Sequence, residues 1–455
     1  MMTPTKKKHP AGLPVLFLTE MWERFSFYCM LSILSLYMNE QLSAGGLGFS
    51  TFKTSQIYGA YIGLVYFTPF FGGIIADRWF GIRKTIVFGG LFMMAGHFLL
   101  AFRPLPFFFS ALCCLMIGNG MFKPNISVML GNLYRDVPEK KDDGYNIFYM
   151  GINLGALISP LVAAGLRSLH PIYGWHYAFA AAGVGMIISL ITFLSFQKYV
   201  REGENVSGTN AVDVSREVFL TPRQSRQRIT ALLIIFGVVI FFWMAFHQNG
   251  LTLTFWARDA TATTLSPELF QTVNPFFVLL FTPLLVLFWT FLRGMKKEPT
   301  TAAKLGVGML LTAGAYSIMV FAAKAYQFNL DHPTAAMAAG EQSYGVSLWW
   351  LVSTYAVITI GELCLSPMGL SLVSKLSPWK IRGMMMGGWF AATAIGNYLS
   401  GLVGSFWETW SHSTFFIVLV ATSIFAALLL YFLLKFLNPV IKEAEEMAKV
   451  AAEKR

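Results

Sequence analysis

The sequence predicts an all-α integral membrane protein. Of its 455 residues, 55% are hydrophobic and only 13% are charged, and the mean hydropathy is +0.57. Soluble proteins of this length are much less apolar. The apolar residues also form repeated stretches that are long enough, as helices, to span about 30 Å of hydrocarbon. Together these observations predict a helical protein that crosses the bilayer many times.

Apolar stretches separated by polar breaks predict twelve transmembrane helices. In chain order they cover residues 13–39, 52–76, 84–102, 105–130, 144–166, 174–197, 229–256, 267–292, 301–324, 347–376, 382–405 and 412–436. The longest polar break lies between the sixth and the seventh helix. The predicted organisation is therefore an N-terminal six-helix bundle over residues 1–198, a cytoplasmic linker over 199–228, a C-terminal bundle over 229–436 and a cytoplasmic tail over 437–455.

The basic residues predict the orientation of the chain. Most of them fall in the loops on the side that also holds both termini. The opposite side has only Lys53, Arg103, Arg167, Arg258 and Lys324. Basic loops stay in the cytoplasm, so both termini are expected there. The net charge of +11 then reflects this bias beside anionic lipid, and no nucleic-acid partner is expected.

Several ionisable side chains interrupt the predicted helices. They are Glu20, Glu23, Arg24, Lys123 and Glu362. Each charge near the centre of a spanning helix costs about 2.5–3.5 kcal/mol on insertion scales. Packing alone does not explain three such residues in the first helix, so they indicate a polar path through the membrane. An ion network with a purely scaffolding role is the alternative.

The spacing of these charges predicts that they form one group. Glu20 and Arg24 are four residues apart and share a helix face. Glu20 and Lys123 each lie about 10 Å from the inner ends of their helices, so they can pair. Three acids against two bases leave one uncompensated negative charge, and one carboxylate is therefore expected to bind a proton readily. A proton is the expected co-substrate, and no other cofactor is expected.

The loop between the second and third predicted helices reads GGIIADRWFGIRKT. It resembles the loop signature of the major facilitator superfamily, and the matching residues are Gly73, Asp77, Arg78, Gly81 and Arg83. The resemblance implies a major facilitator fold, in which two six-helix bundles rock about a shared midplane site. It also implies that these residues form a conformational latch on the inner side. An ordinary basic turn is the alternative.

A second resemblance covers almost the whole chain. EMWERFSFYCM is similar to the ExxERFxYY motif of the proton-dependent oligopeptide transporters, with Phe27 in the place of the first tyrosine. GNGMFKPN, FYMGINLGAL, VNPFF, GELCLSPMGLSLVSKLSP and GGWFAATAIGNYLSG resemble later segments of that family in the same order. The resemblance implies a monomeric, proton-coupled importer of di- and tripeptides in the plasma membrane, or in the inner membrane of a bacterium.

The same resemblance implies roles for single residues. It implies that Glu20, Glu23, Arg24 and Lys123 take part in proton coupling. Substrate binding falls to Arg24, Tyr28, Tyr66, Lys123, Tyr149, Asn153, Asn274, Glu362, Ser366 and Trp389. Bases from the N-terminal bundle and an acid from the C-terminal bundle would complement a zwitterion with separated termini. The aromatic residues have helix packing as their alternative role.

Two positions depart from the family pattern. Leu31 stands where a second helix 1 arginine is usual, and His247 stands where helix 7 usually has a carboxylate. By residue count both lie roughly 25–27 Å from the inner side. The changes look matched, because a glutamate without its arginine would be costly whereas a neutral imidazole would not. His247 becomes a candidate proton site, and a hydrogen-bonded core histidine is the alternative.

Other functions remain open at this stage. Plant members of the family that carry nitrate also lack the second arginine, and some use a helix 7 histidine, so another small solute is possible. A peptide sensor that does not transport is a further alternative. An enzyme is not expected, because the histidines sit singly and no nucleophile, base or metal constellation accompanies them.

Overall fold

The computed structural model describes residues 8–137, 140–204, 220–340, 342–378 and 381–453. These residues are almost entirely helical. The helices are α1 (Leu13–Asn39), α2 (Thr51–Phe67), α3 (Pro69–Ile75), α4 (Ile82–Leu100), α5 (Leu105–Leu133), α6 (Lys141–Ser168), α7 (Gly174–Ser195), α8 (Pro222–Phe246), α9 (Thr252–Asp259), α10 (Val273–Gly294), α11 (Thr301–Asp331), α12 (Ala335–Ala338), α13 (Leu348–Leu376), α14 (Arg382–Gly404) and α15 (His412–Glu453). Two short strands, β1 (Thr261–Ala262) and β2 (Val346–Ser347), pair in parallel.

The helices have the length and apolarity of membrane spans. Among the described residues, nine helical stretches are long and apolar enough to cross a membrane. Large apolar side chains cover the outside of these stretches; Leu287 is 65% exposed and Phe432 is 72% exposed. Soluble monomers rarely expose contiguous apolar surface of this kind. The prediction of an all-α, multi-pass membrane protein is confirmed.

The chain divides into two compact units, and the first comprises Met1–Gly48 and Leu64–Asn210. In it α1 packs against α6 and α7, and α4 packs against α5 and α7. Two glycines permit the closest approaches. A Cβ atom on Gly155 would lie 2.3 Å from the carbonyl oxygen of Met21, and one on Gly72 would lie 1.8 Å from that of Gly120. α6 therefore lies directly against the charged segment of α1, and α3 lies directly against α5.

The second unit comprises Phe49–Gly63 and Ala211–Arg455, so it includes most of α2. In it α8 packs against α14 and α15, and α11 packs against α13 and α15. The α2 part touches α14 through small residues, Ser55, Gly59, Gly401 and Gly404, which we call the α2–α14 seam. A Cβ atom on Gly59 would lie 2.6 Å from the Cα atom of Gly401. The backbones are thus in direct contact.

A polar contact lies at the end of this seam. The hydroxyl group of Thr51, at the first position of α2, donates a hydrogen bond to the carboxylate of Glu408, which follows α14. Thr51 is buried whereas Glu408 is exposed.

The second predicted helix is divided in the structure. It was predicted as one element over residues 52–76, but α2 ends at Phe67, α3 begins at Pro69 and a π-helical turn follows over Ala76–Phe80. Proline has no amide hydrogen, so the carbonyl group of Val65 loses its helical donor. The turn ends at Gly81, whose φ of +75° favours glycine.

The predicted linker is shorter than residues 199–228. α8 begins at Pro222, and Thr221 and Gln224 form a capping box in which each side chain bonds the other's backbone amide. Residues 205–219 of the predicted linker lie outside the described residues. The polar residues that indicated a linker therefore include the first turns of α8.

The predicted tail begins inside α15, and one face of this part of the helix is buried. α15 continues without a break to Glu453, and Leu437, Val440, Ile441 and Ala444 are buried. Gln224 Nε2 donates to Glu443 Oε1 at 2.6 Å, and Arg228 Nη2 donates to Met447 Sδ at 3.1 Å. The tail thus packs against the start of α8, because its apolar residues recur at helical spacing.

Candidate functional site

The charged residues of α1 form one buried cluster in the first unit. Arg24 donates through Nε and Nη2 to the two carboxylate oxygens of Glu23, at 2.5 Å for the Nη2 bond. Arg24 Nε also lies 3.4 Å from Glu20 Oε1, one helical turn away. All three side chains are at most 3% exposed. A bidentate arginine–carboxylate pair of this kind is among the strongest charge pairings that proteins use.

Glu20 is the carboxylate of this cluster that is not fully paired. Its Oε2 atom is buried, and among the described residues no group donates a hydrogen bond to it. A buried carboxylate oxygen without a donor is costly while it carries charge. Protonation removes that cost, so Glu20 is the position of the cluster that is best placed to bind a proton.

Lys123 of α5 faces the cluster from a second helix. It lies near enough to Glu20, Glu23 and Arg24 to act on them electrostatically. Its Nζ atom lies 4.5 Å from the centre of the Tyr66 ring, as a cation–π contact. The structure therefore brings Glu20, Glu23, Arg24, Tyr66 and Lys123 near one another, and the described contact of Lys123 is with the Tyr66 ring.

One member of this site was missed by the sequence analysis. Asn119 of α5 is 1% exposed; its Oδ1 atom accepts from Arg24 Nη2 at 3.1 Å, and its Nδ2 atom donates to the carbonyl oxygen of Val65 at 3.0 Å. A signal was present in the sequence, because Asn119 lies one helical turn before Lys123 on the same helix face.

The other predicted substrate residues of the first unit surround the cluster at different levels. Tyr28 is half-buried and its ring packs edge-on against Phe27, and Phe27 lies 5.0 Å beneath the guanidinium of Arg24. Asn153 of α6 is buried, and its Nδ2 atom donates to the Tyr149 carbonyl oxygen at 2.9 Å. The Tyr149 side chain is exposed.

In the second unit, Glu362 of α13 forms a polar group with its neighbours. Asn274 of α10 donates through Nδ2 to Glu362 Oε2 at 3.0 Å and to Thr359 Oγ1 at 2.9 Å. Glu362 and Asn274 are both half-buried. Thr359 was not predicted as part of this group, although it lies three residues before Glu362 on the same helix. The asparagine thus orients a half-buried carboxylate.

Trp389 and Ser366 complete the predicted residues of the second unit. Trp389 is only 3% exposed; its ring packs edge-on against Phe236 at 6.4 Å and fills the space that a side chain at Gly369 would need. Ser366 is half-buried. In this structure Trp389 is a packed residue of the α13–α14 contact rather than an open wall.

His247 lies where the seventh predicted helix is interrupted. α8 ends at Phe246, a short 3-10 turn covers His247–Gly250, and α9 begins at Thr252. The half-buried imidazole packs against the rings of Trp243 and Phe246, at 5.5 and 5.6 Å between centroids. Leu31 is buried in α1 of the first unit. His247 is thus set in an aromatic environment at a break in its helix.

The residues of the predicted latch differ in exposure and in their contacts. Asp77 and Arg78 are exposed. Arg83 is held by the segment that follows α7, because its Nε atom lies 3.3 Å from Glu204 Oε2 and its Nη1 atom donates to Gln197 Oε1 at 3.1 Å. Gly73 has open space around it, and Gly81 supplies the turn before α4.

A further charge cluster lies between α10 and α11 and was not predicted. Glu298 accepts hydrogen bonds from Arg293 and Lys304, both at 2.6 Å. These two bonds lower the pKa of Glu298 to about 2. The carboxylate therefore stays charged throughout the range in which a transmembrane pH difference can be imposed.

Comparisons with known proteins identify similar chains. A family model described as the POT family matches residues 83–224 and 204–418. The peptide transporter YePEPT of Yersinia enterocolitica is 32% identical over 87% of this chain and 88% of its own length. The di-/tripeptide transporter of Lactococcus lactis subsp. cremoris is 29% identical over 95% and 96% of the two chains.

Solved structures show the same similarity. A crystal structure of the peptide transporter POT in complex with sulfate has a TM-score of 0.83 and 28% identity, with 96% of each chain covered. A POT family transporter in complex with a thioalcohol-conjugated peptide has a TM-score of 0.79 and 27% identity, with 95% of this chain and 97% of the other covered.

Proposed function

Because the chain belongs to the POT family, we propose that it is a proton-coupled symporter that imports di- and tripeptides by alternating access. One observation carries the coupling part of this proposal. The buried Oε2 atom of Glu20 has no hydrogen-bond donor among the described residues, although Arg24 and Lys123 lie beside it. A site with more acid than base in a low-dielectric environment favours proton binding.

The proton and the peptide carboxylate compete for the same bases in this proposal. While Glu20 and Glu23 are both charged, they occupy Arg24 and Lys123. When a proton neutralises the acidic pair, one of the bases becomes available to the carboxylate of a peptide. Release of the proton to the cytoplasm restores the internal pairing and expels the peptide. No cofactor besides the proton takes part.

The amino end of the peptide is assigned to Glu362. Asn274 already orients this carboxylate, and an ammonium group would satisfy its second oxygen. Tyr28, Tyr66, Tyr149, Asn153 and Ser366 are proposed to bind the peptide backbone, and movement of Trp389 would open an apolar wall for side chains. Zwitterions with widely separated charges fit this assignment better than single anions do.

The finer architecture belongs to the same proposal. Twelve spanning helices in two six-helix bundles, with both termini in the cytoplasm, account for the distribution of basic residues. A monomer in the plasma membrane, or in the inner membrane of a bacterium, is the proposed working state. Gly73, Asp77, Arg78, Gly81 and Arg83 are proposed to stabilise one conformation at the inner side.

The proposal is tested by uptake into proteoliposomes. We expect labelled dialanine to accumulate when the outside is acidic, at zero membrane voltage, and unlabelled di- and tripeptides to compete. Nitrate is not expected to compete, because a single small anion has no group for Glu362. Equal accumulation with and without the pH difference would contradict proton coupling. Strong competition by nitrate would instead favour the alternative that Leu31 and His247 suggest, a carrier of small anions.

His247 is proposed to take part in proton transfer on the basis of its place in the helix break. We expect His247→Gln to abolish gradient-driven uptake and to spare counterflow, because glutamine keeps hydrogen-bonding groups but cannot titrate. Both rates are measured in the same vesicles. His332→Gln, in an exposed loop position, is the matched control. Unchanged gradient-driven uptake in His247→Gln would remove His247 from the mechanism.

A further inference from the structure

Asn119 connects two parts of the site that are otherwise separate. Its oxygen binds the guanidinium of Arg24, and its amide nitrogen binds the backbone of α2 at Val65. The orientation of the amide follows from chemistry, because a guanidinium offers only donors and a carbonyl group only accepts. A neutral side chain that accepts on one side and donates on the other is required here, and asparagine meets that requirement.

The α2 carbonyl is available to Asn119 for a reason that lies in the sequence. In an unbroken helix the carbonyl group of Val65 would accept from the amide four residues later, but that residue is Pro69. The vacant acceptor receives Asn119 Nδ2 at 3.0 Å and the Thr68 hydroxyl at 3.3 Å. The bond from Asn119 is the shorter of these two.

The next residue of α2 is Tyr66, whose ring lies against Lys123. A continuous series of contacts therefore runs from Glu23 to Arg24, from Arg24 to Asn119, and from Asn119 to the segment that holds Tyr66 over Lys123. Lys123 is also on the same helix as Asn119. A change in the pairing of Arg24 is therefore passed through Asn119 to the backbone of α2 at Val65, next to Tyr66.

We infer that Asn119 is a positioning residue that transmits the protonation of the Glu20–Glu23–Arg24 cluster to Tyr66 and Lys123. This inference rests on the proposed proton-coupled function. When a proton releases Arg24 from its acids, the hydrogen bond to Asn119 holds the guanidinium near α2. The bases and Tyr66, which receive the peptide carboxylate, then keep their relative positions. Asn119 itself does not bind the peptide.

A second asparagine of α5 supplies a matched control. Asn125 is 2% exposed, and its Nδ2 atom donates to the carbonyl oxygens of Gly72 and Met121 at 3.2 and 2.7 Å. It therefore joins α5 to the same broken helix, about 1.7 turns further along α5 than Asn119. Among the described residues its side chain bonds to no charged group, so it shares the structural role of Asn119 without the connection to the cluster.

The experiment compares Asn119→Leu, Asn119→Asp and Asn125→Leu in proteoliposomes. Labelled dialanine is measured in gradient-driven uptake across a series of external pH values and in counterflow without a gradient. For Asn119→Leu we expect gradient-driven uptake to fall about tenfold or more relative to counterflow, the size expected for losing one charge-assisted hydrogen bond. For Asn125→Leu we expect the ratio of the two rates and the pH profile to match those of the wild type.

Asn119→Asp keeps the shape of the side chain and separates this inference from a loss of folding. Its carboxylate can still accept from Arg24, but when charged it cannot donate to Val65, and it adds a negative charge to the cluster. The added charge favours proton binding, so half-maximal uptake is expected at a higher external pH, together with weaker coupling.

Two results would overturn the inference. One is a pH profile and an uptake-to-counterflow ratio in both Asn119 variants that equal those of the wild type. The other is an equal loss of coupling in Asn125→Leu, which would assign the effect to helix packing. Failure of the proposed function itself is distinguishable, because the wild-type protein would then show no gradient-driven uptake.

Discussion

Lys123→Ala is expected to lose gradient-driven peptide uptake while the protein still folds and inserts. Lys123 is the base that faces the acidic residues of α1 from a second helix, and its removal leaves Arg24 alone against Glu20 and Glu23. Loss of one charged contact to the peptide carboxylate costs about 1.5–3 kcal/mol of binding free energy. That cost predicts a fall in uptake of about 10- to 100-fold. Dialanine uptake under an acid-outside gradient measures it.

The control for this change is Lys324→Ala. Lys324 is an exposed lysine of α11, so its removal takes the same charge from the protein without touching the cluster. We expect its uptake to equal that of the wild type. A Lys123→Ala protein that still concentrates dialanine in response to the gradient would show that the bases of the site are not coupled to the proton.

A disulfide across the α2–α14 seam is expected to stop transport reversibly. A Cβ atom on Gly404 would lie 3.4 Å from Ser55 Oγ, the position that the sulfur of a cysteine at residue 55 would occupy, and 2.5 Å from Leu251 Cδ2, which must shift. The double variant Ser55→Cys/Gly404→Cys should therefore cross-link under mild oxidation. In the alternating access that we propose, this end of α2 moves away from α14, so the oxidised protein should take up no peptide and reduction should restore uptake.

The two single-cysteine variants are the controls for the cross-link. Each carries the same change in side-chain volume, but neither can form the new disulfide. Oxidation should leave their uptake unchanged, and mass spectrometry of the double variant should find the 55–404 peptide pair. Full uptake by a protein that is demonstrably cross-linked would mean that the seam stays closed throughout the transport cycle.

Hydropathy predicted the apolar parts of the helices well and their polar parts poorly. α1 coincides with its prediction over residues 13–39, because an apolar run with clear ends is enough to define it. The start of α8 at Pro222 was missed, since PRQSRQR is polar although a capping box begins it. Hydropathy reports transfer into an apolar phase, whereas helix ends depend on capping and on contacts between distant segments.

The candidate site shows the same division between local and distant information. The four-residue spacing of Glu20 and Arg24 gave their proximity directly, and they are 3.4 Å apart in the structure. The effect of Pro69 on its helix was also readable in principle. The place of Asn119 on the Lys123 face of α5 was readable as well, but its partners were not, because they depend on which face of α5 meets α1 and α2. That register is fixed by glycine contacts such as Gly72 with Gly120, which one sequence does not reveal.

The continuity of α15 has a mechanical consequence for α8. Glu443 and Met447 of α15 accept hydrogen bonds from Gln224 and Arg228 in the first turns of α8, so these ends of the two helices move together. Any tilt imposed at this end reaches the helix break at His247 along α8. Shortening the chain after residue 436 would therefore remove the contacts that hold the start of α8.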